Sequence, residues 1–294
     1  KKRYDDQQRR VSLYNAGVAL MALGQLEQAQ TYLTQVLSQN TTHTDSLHNL
    51  AVIAMRRNQK ERAIPFLRQI LSLNPDDAIN QHLLNALEGQ QHAATTPDYA
   101  ANLFNNYALH YDQHLQTHLN YQIPQHLAKL CDKLQLTSLN ITLDLGCGTG
   151  LCGAVLRPRT KTLIGVDIAA KMIEQAKNKR IYNELIEAEI ETFLSSAQNE
   201  QQYDLITCVD TLPYFGELTN LFAALNQCLT SSAYFIFTTE ISEVMPWQLQ
   251  TSARFSHHKH YLQELCLQNS WLMQHCEPVT ARLQDGRPLC VYLT

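Results

Sequence analysis

The chain has 294 residues, a length that at roughly 100–200 residues per domain suggests two domains. Hydrophobic residues make up 45% and charged residues only 17%, so ordinary cores can form while Gln and Asn carry much of the polar surface. A net charge of −4 argues against a general affinity for nucleic acid or an anionic membrane, which needs clustered Lys and Arg.

The dense basic stretch, Lys1-Lys2-Arg3 with Arg9-Arg10, is interrupted by Asp5 and Asp6 and reads as a solvated helix start. The first ten residues are polar, so no secretory signal is expected. No apolar run approaches the ~20 residues a membrane helix needs. The eight cysteines form no Cys-x-x-Cys pair, so no metal site is expected, and a cytoplasmic, reducing setting is.

Shifting the chain by 34 residues aligns Leu13 with Leu47, Gly17 with Ala51, Ala29 with Ala63 and Leu33 with Leu67. Small residues at Gly17, Ala51, Ala29 and Ala63 let helices approach, and Leu20, Leu33, Leu67 and Ile70 fill the groove between them. Gly24-Gln25 and Asn58-Gln59 are the turns, and Asn74-Pro75-Asp76 ends the second unit. This pattern resembles the tetratricopeptide repeat, with units at about 10–43 and 44–77 and a capping helix over Asp77 to Glu88. The resemblance implies an all-α domain over 1–92 that binds a protein partner or self-associates. Asn15 and Asn49 face its groove by position. A polar linker is expected at Gln90 to Pro97, with the domain boundary at 93–100 and a second domain over 101–294.

From Ile141 onward, short apolar runs alternate with helical stretches. Strands are expected at Ile141 to Leu145, Thr162 to Asp167, Glu184 to Ala188, Tyr203 to Val209 and Ala233 to Thr238. Helices are expected to Leu156, at Ala170 to Arg180, Ile190 to Ala197, Leu218 to Leu229 and Lys259 to Gln268. Two β runs, Trp271 to Leu283 and Pro288 to Leu293, flank Asp285-Gly286 and read as a hairpin. The whole is a mainly parallel α/β sheet closed by an antiparallel hairpin.

The chemistry centres on the turn after the first strand, Asp144-Leu145-Gly146-Cys147-Gly148-Thr149-Gly150. Its glycines let a ligand approach the backbone, and a carboxylate such as Asp167 at the end of the second strand takes ribose hydroxyls. A nicotinamide dinucleotide site would need Gly-x-Gly-x-x-Gly, whereas here the spacing is Gly146-x-Gly148-x-Gly150. Asp144, two residues ahead, suits a cationic ligand and repels a pyrophosphate.

These residues resemble the class I S-adenosylmethionine-dependent methyltransferases, and the resemblance spans about 100–294. It implies a Rossmann-like fold and S-adenosyl-L-methionine as cofactor. It assigns Asp144, Gly146, Cys147, Gly148 and Gly150 to the first motif and Asp167 to the ribose. Ile168 and Met172 would flank the adenine, with Glu189 and Ile190 beside its amino group. Val209 and Asp210 would lie by the methionine part. Tyr107 and Tyr111 resemble lid tyrosines whose hydroxyls reach the cofactor carboxylate; helix packing is the other reading of that pair.

The segment Arg254 to Leu262, with Asp210 to Gly216, resembles predicted methyltransferases that carry tetratricopeptide repeats. It places Tyr214, Trp247 and Arg254 at the acceptor and offers His257 as a general base, since histidine titrates near neutrality. A carboxylate acceptor would need no base. The Asn-Pro-Pro-Tyr type of motif, used on planar nitrogens, is absent after the fourth strand, which argues against nucleic-acid substrates. The expected activity is methyl transfer to a small-molecule or carrier-bound acceptor, on oxygen. The alternative is a non-catalytic repeat scaffold with a cofactor-binding or degenerate methyltransferase domain.

Overall fold

A computed structural model of the protein describes residues 2–92, 94–196, 202–284 and 286–294, the side chains of residues 2–5 apart. Lys1, Ala93, Ala197 and Asp285, which entered the sequence reading, lie outside the described residues. The chain forms two compact units, one of residues 1–91 with 250–253 and one of residues 92–249 with 254–294.

The first unit is five helices: α1 (Lys2–Ala22), α2 (Leu26–Gln39), α3 (Thr44–Arg56), α4 (Lys60–Leu73) and α5 (Ala78–Glu88). The 34-residue period is visible in the packing. Ala29 and Ala63, Leu33 and Leu67, and Val36 and Ile70 are pairwise equivalent and all buried. Gly17 sits so close to Leu33 that an added Cβ would meet its side chain at 2.8 Å, which is why this position of the repeat is small. The two helix–helix turns each place one residue in the left-handed region, Gly24 in one and Asn58 in the other. Asp77 caps α5 by accepting from the Asn80 amide, so the helix begins where the Asn-Pro-Asp stop ends. Asn49 donates to the Tyr14 hydroxyl at 3.4 Å, while Asn15 is exposed.

The second unit opens with α6 (Pro97–Tyr107), short helical turns including α7 (Tyr111–Gln113), and α8 (Ile123–Lys133). A parallel sheet follows: β1 (Leu139–Leu145), β2 (Thr160–Asp167), β3 (Glu184–Glu187), β4 (Tyr203–Cys208) and β5 (Leu229–Ile241), in the order β3-β2-β1-β4-β5. The connecting helices are α9 (Gly153–Leu156), α10 (Ala170–Lys179), α11 (Ile190–Leu194) and α12 (Thr219–Cys228). After β5 come two short strands, β6 (Trp247–Leu249) and β7 (Phe255–His257), then α13 (Lys259–Gln268) and the antiparallel pair β8 (Glu277–Gln284) and β9 (Arg287–Leu293). β9 pairs antiparallel with β5.

Alternation along the strands divides the core. Leu143, Leu145, Val166, Ile206 and Cys208 belong to one apolar cluster, and Leu163, Leu205 and Ile236 to another. Strands of a sheet covered on both faces bury both sets of side chains, which is why Thr142, Asp144 and Thr207 are buried along with their apolar neighbours in β1 and β4.

The expected linker at 93–100 is corrected by the structure. Ala94 forms a β-bridge with Phe215, and the Thr95 amide donates to the Tyr214 carbonyl at 3.1 Å. Thr96 accepts from the Tyr99 amide and Pro97 stands in the first turn of α6. A capping Thr followed by Pro is a helix start, and that signal was present in the sequence. The β run expected from Trp271 begins as a strand only at Glu277, and the Trp271 indole instead donates to Asn226 at 2.7 Å.

Candidate active site

The carboxyl ends of β1, β2 and β4 open into a cavity of about 460 Å³. Two amides of the turn after β1, those of Gly146 and Cys147, donate to the Val166 carbonyl at 2.8 and 3.0 Å and fasten the turn to β2. Gly148, at φ +53°, projects its missing Cβ into open space, so backbone is presented to whatever occupies the cavity. Its amide donates to Asp167 Oδ2 at 2.8 Å, and the Ala169 amide donates to Oδ1 at 2.8 Å. Asp167 is thereby aimed at the turn while its oxygens retain lone pairs. Burial raises its pKa against the lowering effect of those two amides.

Asp144 is 2% exposed, and both its oxygens are engaged. Tyr182 donates to Oδ2 at 2.6 Å and Thr207 to Oδ1 at 2.8 Å. Burial pushes its carboxyl up to about 6; the two hydroxyls lower it and the neighbouring Asp167 raises it. Ile168, Met172, Glu189, Ile190, Val209 and Cys147 also line the cavity. Glu189 caps α11, accepting from the amides of Glu191 and Thr192, and so has a structural task besides any ligand contact. Gly150 is not among the lining residues.

A family model described as a methyltransferase domain matches residues 115–282, more than half of the chain. The chain belongs to this methyltransferase family. A tetratricopeptide repeat model matches residues 20–87 of the methyltransferase, and its N-terminal unit is a tetratricopeptide-repeat domain. The protein is similar to a malonyl-[acyl-carrier protein] O-methyltransferase of Acetivibrio thermocellus, 34% identical over 115 residues. That stretch is 37% of this chain, and the chain spans about 40% of the length of that curated relative. Among solved structures, an S-adenosylmethionine-dependent methyltransferase of Clostridium acetobutylicum is 18% identical with a TM-score of 0.46, covering 65% of this chain and 98% of the other. The magnesium protoporphyrin IX methyltransferase of Synechocystis is 16% identical with a TM-score of 0.44, covering 58% and 77%.

The cavity suits S-adenosylmethionine, the cofactor that the resemblance of the glycine turn implies. An acidic strand end answers a ribose diol, apolar Ile168, Met172 and Ile190 answer a flat base, and Gly148 leaves the backbone bare. Among the described residues no group of His, Cys, Asp and Glu could hold a metal ion, and no helix is long and apolar enough to cross a membrane.

The structure redistributes the lid and acceptor residues. Tyr111 lines the cavity, together with Phe104, Tyr121, Tyr214 and Phe215. Tyr107 does not; its hydroxyl is bonded to the His114 ring, because the turn after α6 brings that histidine against it. Trp247 is half-buried against Phe255, with ring centroids 5.6 Å apart, and lies outside the cavity lining. Arg254 is likewise outside the lining. Its Nε donates to Glu240 at 2.5 Å and its Nη1 to the Tyr214 hydroxyl at 3.3 Å, so a buried partner already answers its charge.

His257 is corrected from candidate base to structural residue. It is 0% exposed, one ring nitrogen bonds the Thr239 hydroxyl, and Nε2 donates to the Gly216 carbonyl at 3.0 Å. Burial lowers its pKa to about 4, so the imidazole is neutral and locked.

Three participants were not anticipated. Arg282 donates to Asp210 Oδ2 at 3.1 Å and balances that cavity-lining carboxylate. Asp112 accepts from the Thr149 hydroxyl and pairs with Lys179 at 2.6 Å, tying the segment around Tyr111 to the glycine turn. Tyr182 holds Asp144. Each acts across 30 or more residues of chain, so local sequence pattern carried no sign of them.

Proposed function

We propose that the methyltransferase transfers a methyl group to an oxygen of a small-molecule or carrier-bound acceptor, and that the oxygen belongs to a carboxylate. When bound, S-adenosylmethionine supplies a methyl group already activated on a sulfonium. Gly146, Cys147, Gly148 and Asp167 would hold it with Ile168, Met172, Glu189 and Ile190, while Val209, Asp210 and Tyr111 border the adjoining space.

The observation that carries the acceptor class is the composition of the lining. Among the described residues that line the cavity there is no histidine and no lysine, and the carboxylates of Asp144, Asp167, Glu189 and Asp210 are already engaged by hydrogen bonds within the chain. The histidine best placed by sequence is buried and neutral. The tyrosines in the lining, Tyr111, Tyr121 and Tyr214, are pushed up by burial and are poor bases. An acceptor that arrives with its proton already gone needs none of these groups. The chain then has to orient it and exclude water, for which an aromatic wall of Phe104, Tyr111, Tyr214 and Phe215 is suited. The similarity to an enzyme named as acting on a malonyl group supports the same class. The repeats are proposed as the surface that engages a protein partner or a second copy.

The test is a methyl-transfer screen with labelled cofactor against free acids, phenols and acyl-carrier thioesters bearing a free carboxylate. Label should enter a base-labile ester on one of the acids or carboxylated thioesters. Label entering phenols while every acid stays unlabelled would overturn the carboxylate assignment.

A further inference from the structure

Asp144 stands in register between Gly165 of β2 and Thr207 of β4. On one side Thr207 reaches it directly. On the other the neighbour has no side chain, and through that gap Tyr182 reaches Asp144 Oδ2. A Cβ added at Gly165 would meet the Leu185 side chain at 2.8 Å, the Tyr182 ring at 2.9 Å and the Cys147 sulfur at 3.0 Å. One at Gly150 would meet the Tyr182 ring at 2.9 Å, and one at Gly153 would meet its hydroxyl at 2.2 Å. Three glycines from three places, the ligand turn, the first turn of α9 and β2, surround one phenol. The last glycine of the first motif, at φ +87°, therefore also makes room for Tyr182.

Tyr182 is itself anchored. The amide of Asn183 donates to the Leu163 carbonyl at 2.8 Å, and Asn183 Oδ1 accepts from the Leu163 amide at 2.8 Å. The phenol does not line the cavity, whereas Asp144 and the glycine turn do.

From this geometry we propose that Tyr182 is a positioning residue of the cofactor site, filling the slot left by Gly150, Gly153 and Gly165 and keeping Asp144 an oriented carboxylate beneath the ligand turn. The inference rests on the reading of the cavity as the cofactor site. An ionised carboxylate at that place favours a cationic ligand, so its protonation is felt in affinity. The groups facing Asp144 are Asp167 on β2, Cys147 in the turn, Cys152 ahead of α9, and Thr207 and Cys208 on β4. The three thiols are pushed up by burial and stay neutral, which leaves Asp167 as the charge opposing ionisation. Tyr182 is pushed up as well, by burial and by Asp144, and remains a donor through neutral pH. Taking its hydroxyl away removes a stabilising bond from the charged form of a carboxyl that already titrates at about 6.

The experiment follows three proteins, the full-length wild type, Tyr182→Phe and Gly165→Ala. Cofactor affinity is measured by calorimetry between pH 5.5 and 8.5, the Asp144 carboxyl is titrated by carbon NMR in the free protein, and each melting temperature is recorded. Tyr182→Phe keeps the ring in its slot. It should melt close to the wild type, raise the Asp144 midpoint, and bind the cofactor roughly tenfold more weakly at pH 7, recovering as pH rises. Gly165→Ala keeps the phenol but crowds its ring, and should also raise the midpoint. An unmoved midpoint in both variants, or a Tyr182→Phe affinity equal to wild type across the pH range, would overturn the proposal. Failure of the wild type to bind cofactor would instead overturn the cofactor-site reading, and the Asp144 midpoint would still judge Tyr182.

Discussion

His257 shows how a side chain's chemistry is set by what closes over it. Histidine in water titrates near the usual 6.5, but burial between β5 and the Gly216 carbonyl lowers this one to about 4. Between these values the unfolded chain binds a proton that the native protein refuses. Stability therefore rises with pH from about 4 to 6.5 and is lost as pH falls through that window. At about 1.4 kcal/mol per unit, the full effect is about 3 kcal/mol. Asp144 acts in the opposite sense, since its raised pKa costs stability as pH rises toward about 6. The comparison of His257→Gln with wild type removes that background. Urea unfolding from pH 4 to 7 should show the wild type gaining stability over the variant as pH rises, by up to about 3 kcal/mol, and parallel profiles would refute the assignment. The residue was legible in the sequence as chemically notable and illegible as buried, because its partners Thr239 and Gly216 come from other elements. Gly148 and Asp167 were more readable, since a glycine turn and an acid at a strand end state their geometry within a few residues.

The elements follow the same division. The five parallel strands were legible as short apolar or alternating stretches bounded by turn residues, and the closing hairpin through its Asp-Gly turn, although its first strand begins only at Glu277. β6 and β7, three residues each, are too short to show any period, and they exist because they pair with each other and β7 pairs with β5. The stretch ahead of α6 read as a linker because it is polar, yet the Ala94–Phe215 bridge and the Thr95 amide make it a strap along the cavity edge. The segment that follows is held to the glycine turn by Asp112, which joins Thr149 and Lys179. A half-exposed ion pair of this sort contributes at most about 1 kcal/mol, so Asp112→Ala should leave the fold intact. It should loosen the segment that carries Tyr111 and speed cofactor dissociation up to about fivefold. Stopped-flow displacement of bound cofactor measures this directly, and an unchanged dissociation rate would show that the tie does not restrain the site.

Across the whole chain, the two cores are built on different periods and can be told apart for that reason. The helical unit repeats at 34 residues and buries Leu33, Leu67, Val36 and Ile70 among its own helices. The α/β unit buries its strands on both faces of one sheet. Among the described residues, those that line the cavity lie between Ala94 and Phe215, inside the second unit. The glycine turn, Asp167 and the Tyr182 slot are all fastened by bonds within that same unit. A protein made of residues 92–294 should therefore bind S-adenosylmethionine with an affinity within about threefold of the full chain, a difference of under ~1 kcal/mol. Calorimetry on the two proteins at one pH and salt concentration decides it. A tenfold or greater loss in the shorter protein, with its circular dichroism unchanged, would mean that the repeats contribute to the cofactor site itself, and the assignment of binding to residues 94–215 alone would fall.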